Sequence, residues 1–350
     1  KANPLFSQSP ESILEKAKSG IFLEFQKKSI TPENMAVINQ YHLYEHMALI
    51  TDDIMVDDFV TGHLDANVRL AIAAGLPAEE AIYTATYTPA RRMGFQDRGA
   101  IMTGYQADFI LLDDVASFEI ASVYKNGKRV SNVHPTMHFP EAFYQSVQCR
   151  PLTEADLRFE VKKETVCNVI AIQEIGTFTE HVQQTISEKE GFLDWENSGL
   201  ALIVVMERYG KNGNIGYGFV KNALTKKGAI ATTWAHDHHN MMVMGTSIAN
   251  ILAAQQAVLE MQGGYAVSAN GVITATCPLP IGGILSDEPV PVLGQKLGEV
   301  RREMQRLGYK NTNEIMSFST LSLPVSPKLK ITDFGMMNVH THELIPLMER

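Results

Sequence analysis

Ala235-His236-Asp237-His238-His239-Asn240 sets three imidazoles, a carboxylate and a carboxamide between two apolar runs. Ala229-Ile230-Ala231-Thr232-Thr233-Trp234 precedes it and Met241-Met242-Val243-Met244, then Gly245, follows. Side chains of these types can coordinate a metal, shuttle protons or hydrogen-bond a heterocycle. A polar turn carrying surface histidines explains the same residues equally well. If the flanking strand ran on through the stretch, alternation would leave only His236 and His238, among the histidines, on one face.

A second candidate is Thr51-Asp52-Asp53, directly after the apolar run Met47-Ala48-Leu49-Ile50. A carboxylate just past a buried strand can serve as general base or metal ligand. An Asp capping the next helix or solvating a loop fits the same position. His42 and His46 stand at i, i+4 spacing, but with Tyr44 and Glu45 between them a surface pair is the better reading. His340-Thr341-His342, after Asn338-Val339, reads as solvent-facing, and His134 and His138 as linker residues.

The elements that position these groups alternate between helix and strand. Ser9-Pro10-Glu11-Ser12 starts a helix that ends at Gly20, and Ile21–Phe25 follows as a short buried strand. Thr31-Pro32-Glu33 opens another helix, and Met47–Thr51 is the next strand. Such alternation places functional side chains at the C-terminal ends of parallel strands. Helices are expected over Val68–Gly75 and Ala78–Met93. Val123–Val130 reads as a hairpin, because Asn126-Gly127 supplies the positive φ of a type I′ turn. His134–Pro151 is connector-like, with prolines at 135, 140 and 151. Beyond it come strands over Asn168–Glu174 and Leu200–Val205, then a helix from a Thr246/Ser247 cap to Gly263-Gly264. A hairpin turns at Asn270-Gly271, and Leu297–Leu307 is amphipathic. Met241, Met242 and Met244 read as core filler.

Composition bounds the function. A chain of 350 residues, 45% hydrophobic and 20% charged, has room for two or three domains and ordinary globular cores. A net charge of −9 excludes a general nucleic-acid binder, since no basic surplus is left to neutralise phosphates. Cys149, Cys167 and Cys277 lack close spacing, which points to a reducing cytoplasm and to no cysteine-based zinc site. No apolar run reaches membrane-spanning length, and the start has no signal-peptide pattern.

Three ordered blocks carry a resemblance. Ala-His-Asp-x-His-Asn followed by an apolar run and Gly resembles the C-terminal domain of bacterial adenine deaminases, in the amidohydrolase superfamily. Asn212–Val220 is similar to that family's glycine-rich lead-in, and Leu279-Pro280-Ile281-Gly282-Gly283-Ile284-Leu285-Ser286-Asp287 to its downstream partner. Upstream, Thr86 to Ala90 resembles the last barrel helix, and Gly99–Asp113 the signature that returns the chain to a small β-domain. The resemblance implies an α/β fold: the C-terminal portion of an amidohydrolase (β/α) barrel with a small β-domain, plus an α+β C-terminal domain. Its expected divisions are 1–95 for the end of the barrel, 96–133 for the β-domain, 134–160 for a linker and 161–350 for the C-terminal domain.

The resemblance also implies an activity: adenine and water giving hypoxanthine and ammonia, in purine salvage. A metal-activated hydroxide would attack the amino-bearing carbon. Asp52 matches the family's aspartate after the eighth barrel strand, where it would hold metal and carry the proton; Asp53 is a weaker match. His236, Asp237, His239, Asn240 and, more distantly, His63 are implied as substrate-binding or interface residues. Two divalent ions, manganese or iron with zinc as a further option, and a cytoplasmic homo-oligomer complete the expectation.

The match departs from the family in length and in chemistry. A barrel takes roughly 250 residues, yet the β-domain signature already begins at Gly99. His236-Asp237-His238 and His340-Thr341-His342 are the His-x-His pairs, and neither stands where the family's first-strand pair would. Either the chain is one piece of a longer protein, or it is a short form that kept the scaffold and lost most metal ligands. A non-catalytic, purine-binding scaffold is therefore one rival. A dihydroorotase-like hydrolase of cyclic amides is another, disfavoured because such enzymes end soon after the β-domain.

Overall fold

The computed structural model describes residues 8–131 and 137–349. They fall into two compact units, Lys1–Thr136 and Met137–Arg350. Among the described residues no helix is long and apolar enough to cross a membrane.

In the first unit the Ser9 hydroxyl accepts the Ser12 N–H and starts helix α1 (Pro10–Lys18). Thr31 does the same for the Asn34 N–H at the head of α2 (Pro32–Tyr41). Both caps satisfy amides that a helix start leaves unpaired. Strands β1 (Leu23–Phe25) and β2 (Met47–Leu49) pair in parallel, with Phe25 opposite Leu49. Leu23, Phe25, Met47 and Leu49 are buried against Ile13, Met35, Ile38, Val68 and Ala71. Each such side chain contributes roughly 1.5–3 kcal/mol by leaving water. A short helix α3 (Val56–Phe59) leads to α4 (Leu64–Ala73) and α5 (Ala78–Arg92). Helix α4 starts four residues before the expected Val68, where the Asp65 carboxylate accepts the His63 N–H. The Thr88 hydroxyl of α5 donates to the Met47 carbonyl at 2.6 Å and ties that helix to β2.

The rest of this unit is a three-stranded antiparallel sheet of β3 (Phe109–Asp114), β4 (Glu119–Lys125) and β5 (Lys128–Arg129). Asn126 and Gly127 have φ of 50° and 72°, the backbone that the Asn-Gly turn requires.

The second unit begins with a segment that composition marks as connector. It is strapped into the core: Val147, Leu152 and Leu157 are buried, and the Leu152 N–H donates to Gln255 Oε1. His138 is exposed, as read, while His134 lies outside the described residues. Strands β6 (Thr165–Ile172) and β7 (Thr179–Ile186) are followed by a small hairpin, β8 (Glu188–Lys189) and β9 (Phe192–Leu193). Then come β10 (Ala201–Met206), β11 (Ile215–Lys221), β12 (Gly228–Thr232) and β13 (Met241–Gly245). Helix α6 (Ile248–Glu260) leads to the hairpin β14 (Gly264–Ala269) and β15 (Val272–Pro278), helix α7 (Val290–Arg306) and helix α8 (Glu314–Ser319). A closing ribbon comprises β16 (Leu329–Thr332), β17 (Gly335–Asn338) and β18 (Leu344–Ile345).

Eight of these strands form one mixed sheet, ordered β15-β14-β12-β13-β10-β11-β6-β7, in which only β11 and β6 run parallel. Its central strands β10, β12 and β13 are buried along their whole length, so their sequences are nearly continuous apolar runs. Met241, Met242 and Met244 are fully buried in β13, the filler role read from sequence. One cap differs: Ser247 stands at the head of α6, but its hydroxyl accepts from Asn250 Nδ2, and Glu196 takes the Ile248 N–H instead.

The glycines of β11 have a steric purpose. A Cβ on Gly216 would lie 2.0 Å from the Thr332 carbonyl and 2.7 Å from the Gly335 nitrogen, both backbone atoms of the β16–β17 turn. Gly216→Ala should therefore destabilise the second unit by about 1–3 kcal/mol, the usual cost of overpacking. Trp195 and Trp234, the only tryptophans, both lie in this unit, so urea unfolding followed by tryptophan fluorescence reads it alone. An unchanged midpoint would mean the turn does not sit on β11 as described.

Candidate functional site

In the first unit Asp52 meets Gln26 just past the ends of β2 and β1. The parallel register continues past the strands, with the Ile50 N–H donating to the Phe25 carbonyl at 3.0 Å. Asp52 follows with φ 57°, a left-handed backbone that Asp tolerates better than most residues. Its Oδ1 accepts the Asp53 N–H at 2.8 Å, and its Oδ2 accepts from Gln26 Nε2. Below, Asn67 Nδ2 holds the Ile50 carbonyl at 2.7 Å. His63 stands at the head of α4 with its ring 4.7 Å from that of Phe59. His42 and His46 are both exposed and do not share a helix, because α2 ends at Tyr41 and His42 takes a left-handed backbone.

In the second unit the histidine stretch is not strand. β12 stops at Thr232 and β13 starts at Met241, an antiparallel pair with Thr232 opposite Met242, so residues 233–240 form the loop between them. The stretch is thus a turn, as one of the two sequence readings has it, and the shared face of His236 and His238 that a continued strand would give does not arise. His236 packs edge-on against Trp234 at 4.6 Å between ring centroids, and the His236 and His239 rings lie 6.1 Å apart. Asp237 is exposed and its carboxylate meets His236 Nδ1 at 3.0 Å.

Distant residues hold the loop's backbone. The Trp234 carbonyl accepts from the Ser319 hydroxyl, the His236 carbonyl from the Ser322 hydroxyl and the His238 carbonyl from the Tyr209 hydroxyl. The His239 carbonyl accepts from Arg208 Nε. His238 Nδ1 accepts the Asn240 N–H at 3.0 Å, which places the proton of a neutral ring on Nε2. Asn240 is buried and its Nδ2 donates to Asp333. The Nδ1 of His239 is buried and has no hydrogen-bond partner among the described residues.

Burial sets the electrostatics here. It pushes the His239 imidazole down to about 4, with His236 and the cationic Arg208 acting in the same direction. It lowers His238 as well. A buried ring resists the charged form, so this loop offers neutral imidazoles at neutral pH.

Sequence reading missed Gln26, Glu207 and Arg208. Burial raises the Glu207 carboxyl, but the amides of Lys211, Asn212, Tyr209 and Gly213 outweigh it and hold the group below the ordinary range. Arg208, 1% exposed, donates to the carbonyls of Ser146, His239 and Gly282. A charged pair directly after the apolar run Ala201–Met206 was the available signal.

Neither place makes a metal centre. Among the described residues no three His, Cys, Asp or Glu side chains converge to hold an ion. Asp52 supplies one carboxylate, with Gln26 and the Asp53 amide as its partners, and one carboxylate does not fit a binuclear site. His340 and His342 are exposed.

Comparison with known proteins agrees with the sequence blocks. Residues 176–343 match the model of the adenine deaminase C-terminal domain, and residues 14–130 that of the amidohydrolase family. An adenine deaminase of Clostridium perfringens strain 13 is 47% identical over 98% of this chain and 62% of its own length. Adenine deaminase 2 of Oenococcus oeni is 46% identical over 97% of this chain and 61% of its own length. The adenine deaminase of Lactobacillus delbrueckii subsp. bulgaricus is 46% identical over 98% of this chain and 62% of its own. The chain thus spans less than two thirds of the curated relatives that it matches.

The histidine loop predicts a pH dependence. His239 ordinarily titrates at 6.5 and is held near 4 when folded. Between those values the unfolded chain binds a proton that the folded one does not, so stability falls as pH drops through the window and is level above it. His239→Asn should remove part of that slope. Urea midpoints by tryptophan fluorescence, taken from about pH 7 to about pH 4.5, should fall less steeply toward acid for the variant than for wild type. Parallel curves would show that His239 is not held neutral.

Proposed function

Because the chain belongs to the adenine deaminase family of amidohydrolases, we propose that its activity is the hydrolysis of adenine to hypoxanthine and ammonia. The observation that carries this reading is 47% identity to an adenine deaminase over 98% of the chain, with both family domains in order. On this reading β1 and β2 are the last two strands of a (β/α) barrel, and the sheet β3–β5 is the small β-domain. Residues 161–350 are the family's C-terminal domain.

The chemistry adds the oxygen of water to the amino-bearing carbon of the purine and expels the amino nitrogen as ammonia. A proton must leave the attacking water and arrive on that nitrogen. On this reading Asp52 carries both transfers, as base and then as acid. It stands at the C-terminal end of a parallel strand, where α/β architectures put their chemistry. His63 would line the same end of the unit. His236, Asp237, His239 and Asn240 offer imidazoles, a carboxylate and a carboxamide suited to a heterocycle's ring nitrogens.

Family membership implies a divalent metal, with manganese or iron as the proposed identity. Among the described residues no site for it is complete, so no step is assigned to the metal. That shortage among the described residues favours one alternative: a scaffold that binds purine without turning it over. Cytoplasmic location and homo-oligomeric assembly are part of the proposal.

Metal content and ammonia release from adenine, measured on the purified chain supplied with manganese or ferrous iron, separate the two. Turnover that drops about 10²–10⁴-fold in Asp52→Asn supports deamination with Asp52 as proton carrier. Turnover untouched by Asp52→Asn sinks that assignment, and purine binding with neither metal nor turnover selects the scaffold.

A further inference from the structure

Asp52 does not set its own direction. Its Oδ1 is taken by the Asp53 amide one residue along, which holds the carboxylate close to its own backbone. The other oxygen, Oδ2, meets a side chain from the neighbouring strand's end, Gln26 Nε2. We propose that Gln26 is the positioning residue for Asp52; the proposal rests on the reading of Asp52 as proton carrier.

Three observations carry it. The first is register: β1 and β2 are parallel with Phe25 opposite Leu49, so the residues leaving each strand emerge side by side. That pairing is fixed by buried side chains at both strand ends, Phe25 at 0% and Leu49 at 1% exposed. The second is what Gln26 leaves undone. It occupies the N-cap of the short helix Lys27–Ser29, yet its side chain makes no capping bond there. Gln is a poor capping residue in any case, and the amide reaches across to Asp52 instead. The third is the strain at Asp52, whose backbone sits at φ 57°. A left-handed residue with one oxygen tied to the next amide has its carboxylate orientation decided by whatever meets the second oxygen.

The chemistry of the partner matters. A neutral amide fixes direction with one N–H and brings no formal charge, so the carboxylate keeps its capacity to accept a proton. A lysine or arginine would hold it harder but favour the charged form.

The test has two arms. Side-chain amide resonances of 15N-labelled chain are recorded for wild type and for Asp52→Ala. The Gln26 pair should move when its acceptor is removed; unmoved resonances overturn the proposal, and this arm does not depend on turnover or on any change at Gln26. In a preparation that deaminates adenine, Gln26→Leu should lower kcat about 10–100-fold with KM nearly unchanged, as misplacement of a reacting group does. Gln26→Asn, which keeps a shorter amide, should recover part of the loss. Gln26→Leu should add nothing to Asp52→Asn. If Asp52→Asn abolishes turnover while Gln26→Leu keeps full kcat, the positioning role is wrong and the Asp52 reading stands. If Asp52→Asn turns over normally, the reading of Asp52 fails, whatever Gln26 does.

Discussion

Two adjacent charges buried at the end of β10 hold the second unit's conspicuous sequence blocks together. Glu207 and Arg208 are 6% and 1% exposed, and they take separate sets of hydrogen-bond partners. Burying each ion costs several kcal/mol, so each needs strong partners of its own. Glu207 finds four backbone amides between Tyr209 and Gly213, which folds the glycine-rich lead-in around one carboxylate. Arg208 finds three carbonyls, on Ser146, His239 and Gly282. Charge-assisted bonds contribute about 1.5–3 kcal/mol each, enough to offset the desolvation. The space for the guanidinium depends on Gly283, where a Cβ would lie 2.5 Å from an Arg208 nitrogen. Blocks separated along the chain, Asn212–Val220, Ala235–Asn240 and Leu279–Asp287, thus meet at one dipeptide.

The first unit solves a similar problem with far less. Two three-residue strands carry it, because all the apolar residues of both are buried between the helices. The parallel pairing does more than close a core. It brings the exits of β1 and β2 to the same edge, where Gln26 and Asp52 meet although 26 positions separate them. Packing of Phe25 and Leu49 is therefore upstream of any chemistry at Asp52.

Local signals were legible in the sequence and non-local ones were not. Ser9 and Thr31 cap their helices, Asn126-Gly127 turns its hairpin, and Asn270 and Gly271 have the positive φ of another. Each of these is decided within a few residues. The path of residues 233–240 is decided elsewhere, by Ser319, Ser322, Tyr209 and Arg208. No periodicity inside the stretch could report those partners, so the sequence left a continued strand and a polar turn equally open. Ser247 failed as a cap for the same reason: Glu196, from the other side of the sheet's sequence, reached the amide first. The family resemblance succeeded where periodicity could not, because it rests on blocks whose shared purpose is three-dimensional.

The histidine loop shows how backbone and side chain divide the work. Its carbonyls at 234, 236, 238 and 239 are all held by partners outside the loop, and of its imidazoles only His238 bonds to the loop's backbone, at the Asn240 N–H. The His239 ring nitrogen Nδ1, by contrast, is buried and unmatched among the described residues. A buried polar atom without a partner costs about 1–3 kcal/mol, and the left-handed backbone of His239, φ 49°, adds strain to that. A loop selected only for stability would replace such a residue with one that adopts the turn and needs no partner, as glycine does at 282 and 283 nearby. The outside contacts to the carbonyls at 234, 236, 238 and 239 are what hold the ring in that position at such a cost.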